Sequence, residues 1–264
     1  MNTAAVELVN ISKIFDSGHA VKNLNLTLAK GKITTIIGPS GCGKSTTLKM
    51  INKLIEPDEG TIFINGKDIS RMDSVNLRRN IGYVIQQIGL FPLMTIEENI
   101  SIVPILKGVK KVEIKERVTE LLNLIGLDPE QYRYRYPSEI SGGQQQRIGV
   151  ARALCADPSI ILMDEPFSAL DPISRVQLQD ELISLQKKLK KTIIFVTHDM
   201  EEALKISDHM VVLKDGVLIQ SSPPIDLLRQ PKNEFVREFI GVKYFQDSFI
   251  LPMSSLDDHE GASR

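Results

Sequence analysis

Apolar positions fall into two patterns along this chain. Short β-rich runs, apolar on both faces, occur at Ile33–Ile37 (ITTII), Ile160–Met163 (IILM), Thr192–Val196 (TIIFV) and Met210–Leu213 (MVVL). A parallel sheet covered by helices requires strands of that kind. Between them helical spacing takes over: Ile114, Val118, Leu121, Leu122 and Ile125 share one face, and Gly126 supplies a stop. Leu178, Leu182, Leu185 and Leu189 repeat the spacing, and that helix runs out in Lys187, Lys188, Lys190 and Lys191. Lysines there lie favourably against the helix macrodipole, so they read as a solvated helix end rather than a nucleic-acid patch.

Two hairpins add antiparallel strands. Thr61–Ile64 runs into Asn65-Gly66, a strong two-residue turn signal, and Val211–Leu213 and Val217–Ile219 flank Lys214-Asp215-Gly216. From about Gln87 to Asp157 there is little strand pattern, which predicts a mostly helical insertion. The pattern is that of an α/β fold: a mostly parallel sheet with flanking helices, an antiparallel β-subdomain, and an inserted α-helical subdomain. The boundaries it predicts are a core from residues 1–86 and 158–241, a helical subdomain at 87–157, and a partly disordered tail at 242–264.

Length and composition narrow the class. The 264 residues allow one large or two small domains, and 42% hydrophobic with 25% charged residues is ordinary for a soluble globular protein. Lys and Arg number 32 against 33 Asp and Glu, a net charge of −1, which counts against a protein that binds nucleic acid by neutralising phosphates. No apolar run approaches the roughly eighteen residues that span a bilayer. The start, MNTAAVELVN, lacks the pattern of a signal peptide, and two cysteines (Cys42 and Cys155) are too few for a disulfide framework, so a soluble intracellular chain is expected.

Gly38-Pro39-Ser40-Gly41-Cys42-Gly43-Lys44-Ser45 fits the P-loop pattern in full, with the strand ITTII before it and a helix over Thr46–Ile55 after it. The core is therefore of the P-loop NTPase type. The glycines let successive backbone N–H groups curl inward onto phosphate oxygens, and the helix adds its positive dipole end. Lys44 would reach the β- and γ-phosphates, and the Ser45 hydroxyl would coordinate Mg²⁺. Cys42 occupies an unconstrained position and reads as filler. The run Ile160-Ile161-Leu162-Met163-Asp164-Glu165 ends an apolar strand in two carboxylates, at the sheet edge where ligands of open α/β folds bind. Asp164 would hold Mg²⁺, directly or through water, and Glu165 would orient or deprotonate the attacking water. His198 follows the strand TIIFV at the same edge, a candidate for touching the γ-phosphate.

A further motif, Ile140-Ser141-Gly142-Gly143-Gln144-Gln145, resembles the LSGGQ signature of ATP-binding-cassette ATPases, with Ile for the usual Leu. Ser141, Gly142, Gly143 and Gln144 open a helix and form a second anion-binding end. One P-loop already serves the phosphates from one side, so the second end faces a nucleotide held by another copy. Two chains packed head to tail would enclose two ATP molecules. The resemblance runs from about Glu7 to Gly241. It implies that Phe15 stacks on adenine and Gln86 contacts Mg²⁺ while linking the core to the helical insertion. It also implies that Ser168-Ala169-Leu170-Asp171 communicates across the dimer and that His198 is the switch histidine. Thr46 completes the nucleotide-contacting set, and Lys44, Glu165 and His198 are the residues expected to carry hydrolysis.

Within that family the wording Ile81-Gly82-Tyr83-Val84-Ile85-Gln86-Gln87-Ile88-Gly89-Leu90-Phe91-Pro92 resembles ATPase subunits of importers for quaternary-amine osmoprotectants such as glycine betaine, choline and carnitine. Lys49-Met50-Ile51-Asn52, Ile55-Glu56-Pro57 and Phe239-Ile240-Gly241 are similar too. The resemblance implies an ATP-bound homodimer at the cytoplasmic face of the cell membrane. Transmembrane permease subunits would dock near Gln86 and Leu90-Phe91-Pro92-Leu93-Met94, and a separate or fused substrate-binding protein would supply the solute. Many relatives continue into paired cystathionine-β-synthase-type regulatory domains; ending at Arg264, this chain is not expected to carry them. The alternatives are the same engine on an importer for an amino acid, another amine or a metal chelate, or a soluble DNA- or ribosome-associated member of the family.

Overall fold

The protein is described here by a computed structural model covering residues 4–16, 18–86, 89–168 and 170–241. The 242–264 tail, Gln87, Ile88 and Ala169 therefore lie outside the described residues. In chain order the strands are β1 (Ala4–Phe15), β2 (Gly18–Ala29), β3 (Ile33–Ile37), β4 (Glu59–Ile64), β5 (Lys67–Asp68), β6 (Ile81–Val84), β7 (Ile160–Asp164), β8 (Thr192–Val196), β9 (His209–Lys214) and β10 (Val217–Ser222). The helices are α1 (Lys44–Ile51), α2 (Ser74–Arg79), α3 (Ile96–Leu106), α4 (Lys111–Leu124), α5 (Pro129–Tyr132), α6 (Gly142–Cys155), α7 (Pro172–Leu189), α8 (Met200–Ile206), α9 (Pro224–Arg229) and α10 (Glu234–Ile240).

The larger sheet runs β10-β9-β3-β8-β7-β6, parallel throughout except for β10. Every residue of β3, β7 and β8 is buried, as strands covered on both faces must be. The carboxyl ends of β3, β6, β7 and β8 lie side by side, and Ser45, Gln86, Asp164, Glu165 and His198 meet there. A second, antiparallel sheet has the order β2-β1-β4-β5. Its long strands lack a clean two-residue alternation because the β1–β2 pairing is broken by register shifts, one of them between Leu8 and Ile11. Asn10 takes a left-handed φ of 52° at that bulge. The two hairpin turns are tight: Asn65 and Gly66 (φ 48° and 74°) and Asp215 and Gly216 (φ 50° and 78°) all lie at positive φ, as type I′ turns demand.

Between β6 and β7 all described regular elements are helical. Ile96 and Ile100 of α3, Ile114, Val118, Leu121 and Leu122 of α4, and Ile148 and Leu154 of α6 share one core. Two expectations need correction. The helix after the glycine loop ends at Ile51 rather than Ile55. Lys53 turns left-handed (φ 51°), and its ammonium donates to the carbonyls of Ile69, Ser70 and Met72. The lysines closing α7 are not all a solvated end either: Lys191 is held on Asp157 at 2.8 Å.

The stretch Leu90–Met94 is split in its exposure. Leu90 packs against the helical core, whereas Leu93 is 91% exposed and Phe91 also faces outward. A fully buried polar residue, Asn99 of α3, holds this loop. Its Oδ1 accepts from Phe91 N at 2.8 Å, and its Nδ2 lies 3.0–3.1 Å from the carbonyls of Phe91, Met94 and Thr95. Asn99→Leu should cost about 3 kcal/mol in denaturant unfolding, because buried partners are left unpaired. Nucleotide affinity should stay unchanged. A variant of unaltered stability would show the loop to be held by packing instead.

Candidate active site

The glycine loop between β3 and α1 has a shape that side chains forbid. A Cβ on Gly38 (φ 154°) would lie 2.1 Å from Leu213 O, and one on Gly43 (φ 98°) 2.3 Å from Ala20 O. Lys44 is only 6% exposed and donates from Nζ to Gly38 O (2.8 Å) and Pro39 O (2.9 Å). The ammonium thus lies on the loop's own carbonyls. Ser40 and Gly41 are exposed, Pro39 and Thr46 half-buried. Cys42 is buried, and burial pushes its thiol up despite the neighbouring Lys44 charge. That keeps it protonated and a poor nucleophile.

At the first turn of α1, Ser45 Oγ donates to Asp164 Oδ1 at 2.8 Å. Asp164 ends β7 and is buried; burial raises its carboxyl pKa, partly opposed by the Ser45 hydrogen bond. Tyr83 on the adjacent β6 is pushed up to about 12 by burial and then by the Asp164 charge. A hydroxyl and a carboxylate brought together are oxygen donors of the kind Mg²⁺ takes. Among the described residues no group of three or more His, Cys, Asp or Glu forms a dedicated metal cage. The donor set fits a cation that shares its ligands with phosphates and water.

Glu165 follows in a left-handed conformation (φ 45°) that costs a non-glycine residue about 1 kcal/mol. The turn is held from both sides: Glu165 N donates to Val196 O at 2.9 Å, and Ser168 Oγ donates to Glu165 O at 3.0 Å. The carboxylate then accepts at one oxygen, Oε2, from Gln86 Nε2 and meets His198 Nδ1 there, each at 3.1 Å. Residues just beyond β6, β7 and β8 thus converge on one oxygen. Gln86 lies on Glu165 here, not on the Ser45–Asp164 pair. With Nδ1 engaged, Nε2 is the His198 nitrogen left to meet a ligand.

The helix start expected to form a second anion-binding end is well capped. Ser141 caps α6 in a reciprocal box, with Gln144 N to Ser141 Oγ at 3.3 Å and Ser141 N to Gln144 Oε1 at 3.0 Å. Gln144 Nε2 donates to the Tyr132 hydroxyl at 2.9 Å. A Cβ on Gly142 would meet nothing within 4 Å, and one on Gly143 only the Ser174 side chain, at 3.8 and 3.9 Å, so this helix start is open. Among the described residues no hydrogen bond joins Ser141–Gln144 to residues 38–46. Asp171 caps α7 by accepting from Ile173 N and Ser174 N, and its bonds with Ser174 hold its carboxyl below the usual range. Phe15 closes β1, 42% exposed, with Lys13 Nζ 5.5 Å from its ring centre.

A model of one protein family, described as "ABC transporter", matches residues 21–168, more than half of the chain. The chain belongs to the ABC transporter family. Among curated relatives it is 60% identical over 235 residues to the choline transport ATP-binding protein OpuBA of Bacillus subtilis (strain 168), covering 89% of this chain and 61% of that one. It is 53% identical over 241 residues to the osmoprotectant import ATP-binding protein OsmV of Salmonella typhimurium (strain LT2), covering 89% and 63%. The chain therefore spans less than two thirds of the length of these relatives. Among solved structures, a dimeric ATP-binding cassette in a post-hydrolysis state bound to ADP and Pi matches with a TM-score of 0.74 and 36% identity, over 83% of this chain and 98% of that one. This match bears out the P-loop α/β fold class for this ABC family member. No described helix is long and apolar enough to cross a membrane.

Three polar residues around this site lie outside the motifs that mark it: Tyr132, Arg175 and Asp199. Asp199 had a readable signal, since Asp199-Met200-Glu201-Glu202 is a helix N-terminal pattern; its Oδ1 accepts from Glu201 N and Glu202 N. Tyr132 and Arg175 had none.

Proposed function

We propose that this chain hydrolyses ATP as the motor subunit of an importer for quaternary-amine osmoprotectants, acting as a homodimer beneath transmembrane permease subunits. The observation that carries the reading is the placement of Glu165. Its carboxylate is held by Gln86 and His198, and the residue before it, Asp164, is bonded to Ser45 at the end of the glycine loop. A water held by Glu165 would attack the γ-phosphorus in line, with its proton passing to that carboxylate as the bond to the β-phosphate oxygen breaks, releasing ADP and phosphate. Lys44 would leave the Gly38 and Pro39 carbonyls for the phosphate oxygens, and His198 Nε2 would contact the γ-phosphate. Ser45 and Asp164 would hold Mg²⁺, which when bound neutralises phosphate charge.

The open start of α6 supports a second copy as the partner that completes each site. Ser141, Gly142, Gly143 and Gln144 of one protomer would cap the triphosphate held by the other, so ATP favours the closed pair. The helices between β6 and β7 would form the lobe that carries this end, with Phe91 and Leu93 offered to a permease helix at the cytoplasmic face of the membrane. The osmoprotectant class rests on the names of the relatives and on the wording around Gln86. Reconstitution with the permease subunits in liposomes tests it: glycine betaine, choline or carnitine should be accumulated with ATP, and Glu165→Gln should remove the uptake. Accumulation of an amino acid or a polyamine instead would overturn the solute assignment while leaving the motor.

A further inference from the structure

We propose that Arg175 is a positioning residue for hydrolysis, bridging the loop of Leu170 and Asp171 to the loop of His198 and Asp199 and so fixing where His198 meets Glu165. This rests on the ATP-hydrolysing function argued above. From the first turns of α7, Arg175 Nη1 donates to Asp199 Oδ2 at 3.1 Å and Nη2 to Leu170 O at 3.3 Å. Both anchors are themselves fixed. Asp199 Oδ1 caps α8, and Asp199 N donates to Thr197 Oγ1 at 3.0 Å. Leu170 N donates to Phe167 O, and Ser168 donates through both N and Oγ to Glu165 O.

These bonds form a closed ring. It runs from the Glu165 carboxylate to His198, along the chain to Asp199, through the guanidinium to Leu170, from Leu170 N to Phe167 O, and back by Ser168 to the Glu165 carbonyl. Beside it lies a small cavity of about 40 Å³, bordered by Glu165, Phe167, Arg175, Thr197, His198 and Glu202. The guanidinium joins the two loops beside this gap. Its planar fork suits two acceptors at once in a way a single ammonium does not. The arrangement also places Asp171 and Ser168 on the same strut as His198.

The test is steady-state ATP turnover by the full chain with Mg²⁺, for the parent protein and for Arg175→Ala, Arg175→Lys, Asp199→Asn and the Arg175→Ala/Asp199→Asn pair. Arg175→Ala should lower kcat by roughly 10- to 100-fold, the scale on which misplaced catalytic groups act. KM for ATP and the melting temperature should stay near those of the parent, a split that a merely structural role does not produce. Arg175→Lys should restore little, since one ammonium cannot reach both acceptors. The double variant should be no slower than the slower single one, because the two residues act as one unit. Should Arg175→Ala not fold, Arg175→Gln, which keeps part of the stem, carries the same comparison. Unchanged kcat in an active parent, a rise in KM alone, or additive losses would overturn the positioning role and leave the ATPase reading intact. A folded parent chain with no turnover would remove both.

Discussion

Glu165→Gln should bind ATP as the parent does and hydrolyse it about a thousandfold more slowly, within the range general-base catalysis supplies. The substitution isolates the charge. The turn that presents this side chain is made by the backbone, through Glu165 N to Val196 O and Ser168 Oγ to Glu165 O, and neither bond involves the carboxylate. An amide oxygen can still accept from Gln86 Nε2, so the local geometry survives while the acceptor for the water's proton is lost. With hydrolysis blocked, ATP remains in place, and the variant should accumulate as a dimer on size-exclusion chromatography with light scattering. The dimer should dissociate when Mg²⁺ is chelated or ATP is withdrawn. Phosphate release close to the parent rate would take Glu165 out of the reaction.

The parts of this molecule that could be read from sequence are those where one physical requirement dictates residue type. Strands β3, β7 and β8 were legible because a doubly covered strand must be apolar throughout. The glycine loop was legible because Gly38 and Gly43 stand where a Cβ would collide with Leu213 O and Ala20 O. Strand β1 was not, since its bulge at Asn10 breaks the alternation that reveals a half-buried strand. The end of α1 was missed because Lys53 leaves the helix to reach three carbonyls near Met72, which follow it by sixteen or more residues. The bond between Arg175 and Asp199 depends on how α7 and α8 pack, which no local pattern encodes. The same is true of Asn99, a polar residue whose burial shows only once the loop at Phe91 has folded over it.

Lys44→Ala should act one step earlier than Glu165→Gln, on binding itself. The ammonium is nearly enclosed, and two carbonyls of the glycine loop hold it at 2.8 and 2.9 Å. In the proposed function it is a cation stored at the place where a triphosphate would bring negative charge. Exchange of those carbonyls for phosphate oxygens replaces neutral acceptors with charged ones, and such charge-assisted bonds are about twice as strong. Removing the cation should weaken affinity for a fluorescent ATP analogue by about 10²-fold, the equivalent of roughly 3 kcal/mol. ADP should lose less than ATP, because the γ-phosphate contributes its charge only in ATP. Lys44→Arg should not rescue binding, since the larger guanidinium must fit a site closed by Gly38, Pro39 and Cys42. Equal losses for ATP and ADP would place the ammonium away from the γ-phosphate. Undiminished ATP affinity, with a lowered melting temperature, would make Lys44 a brace for the loop and nothing more.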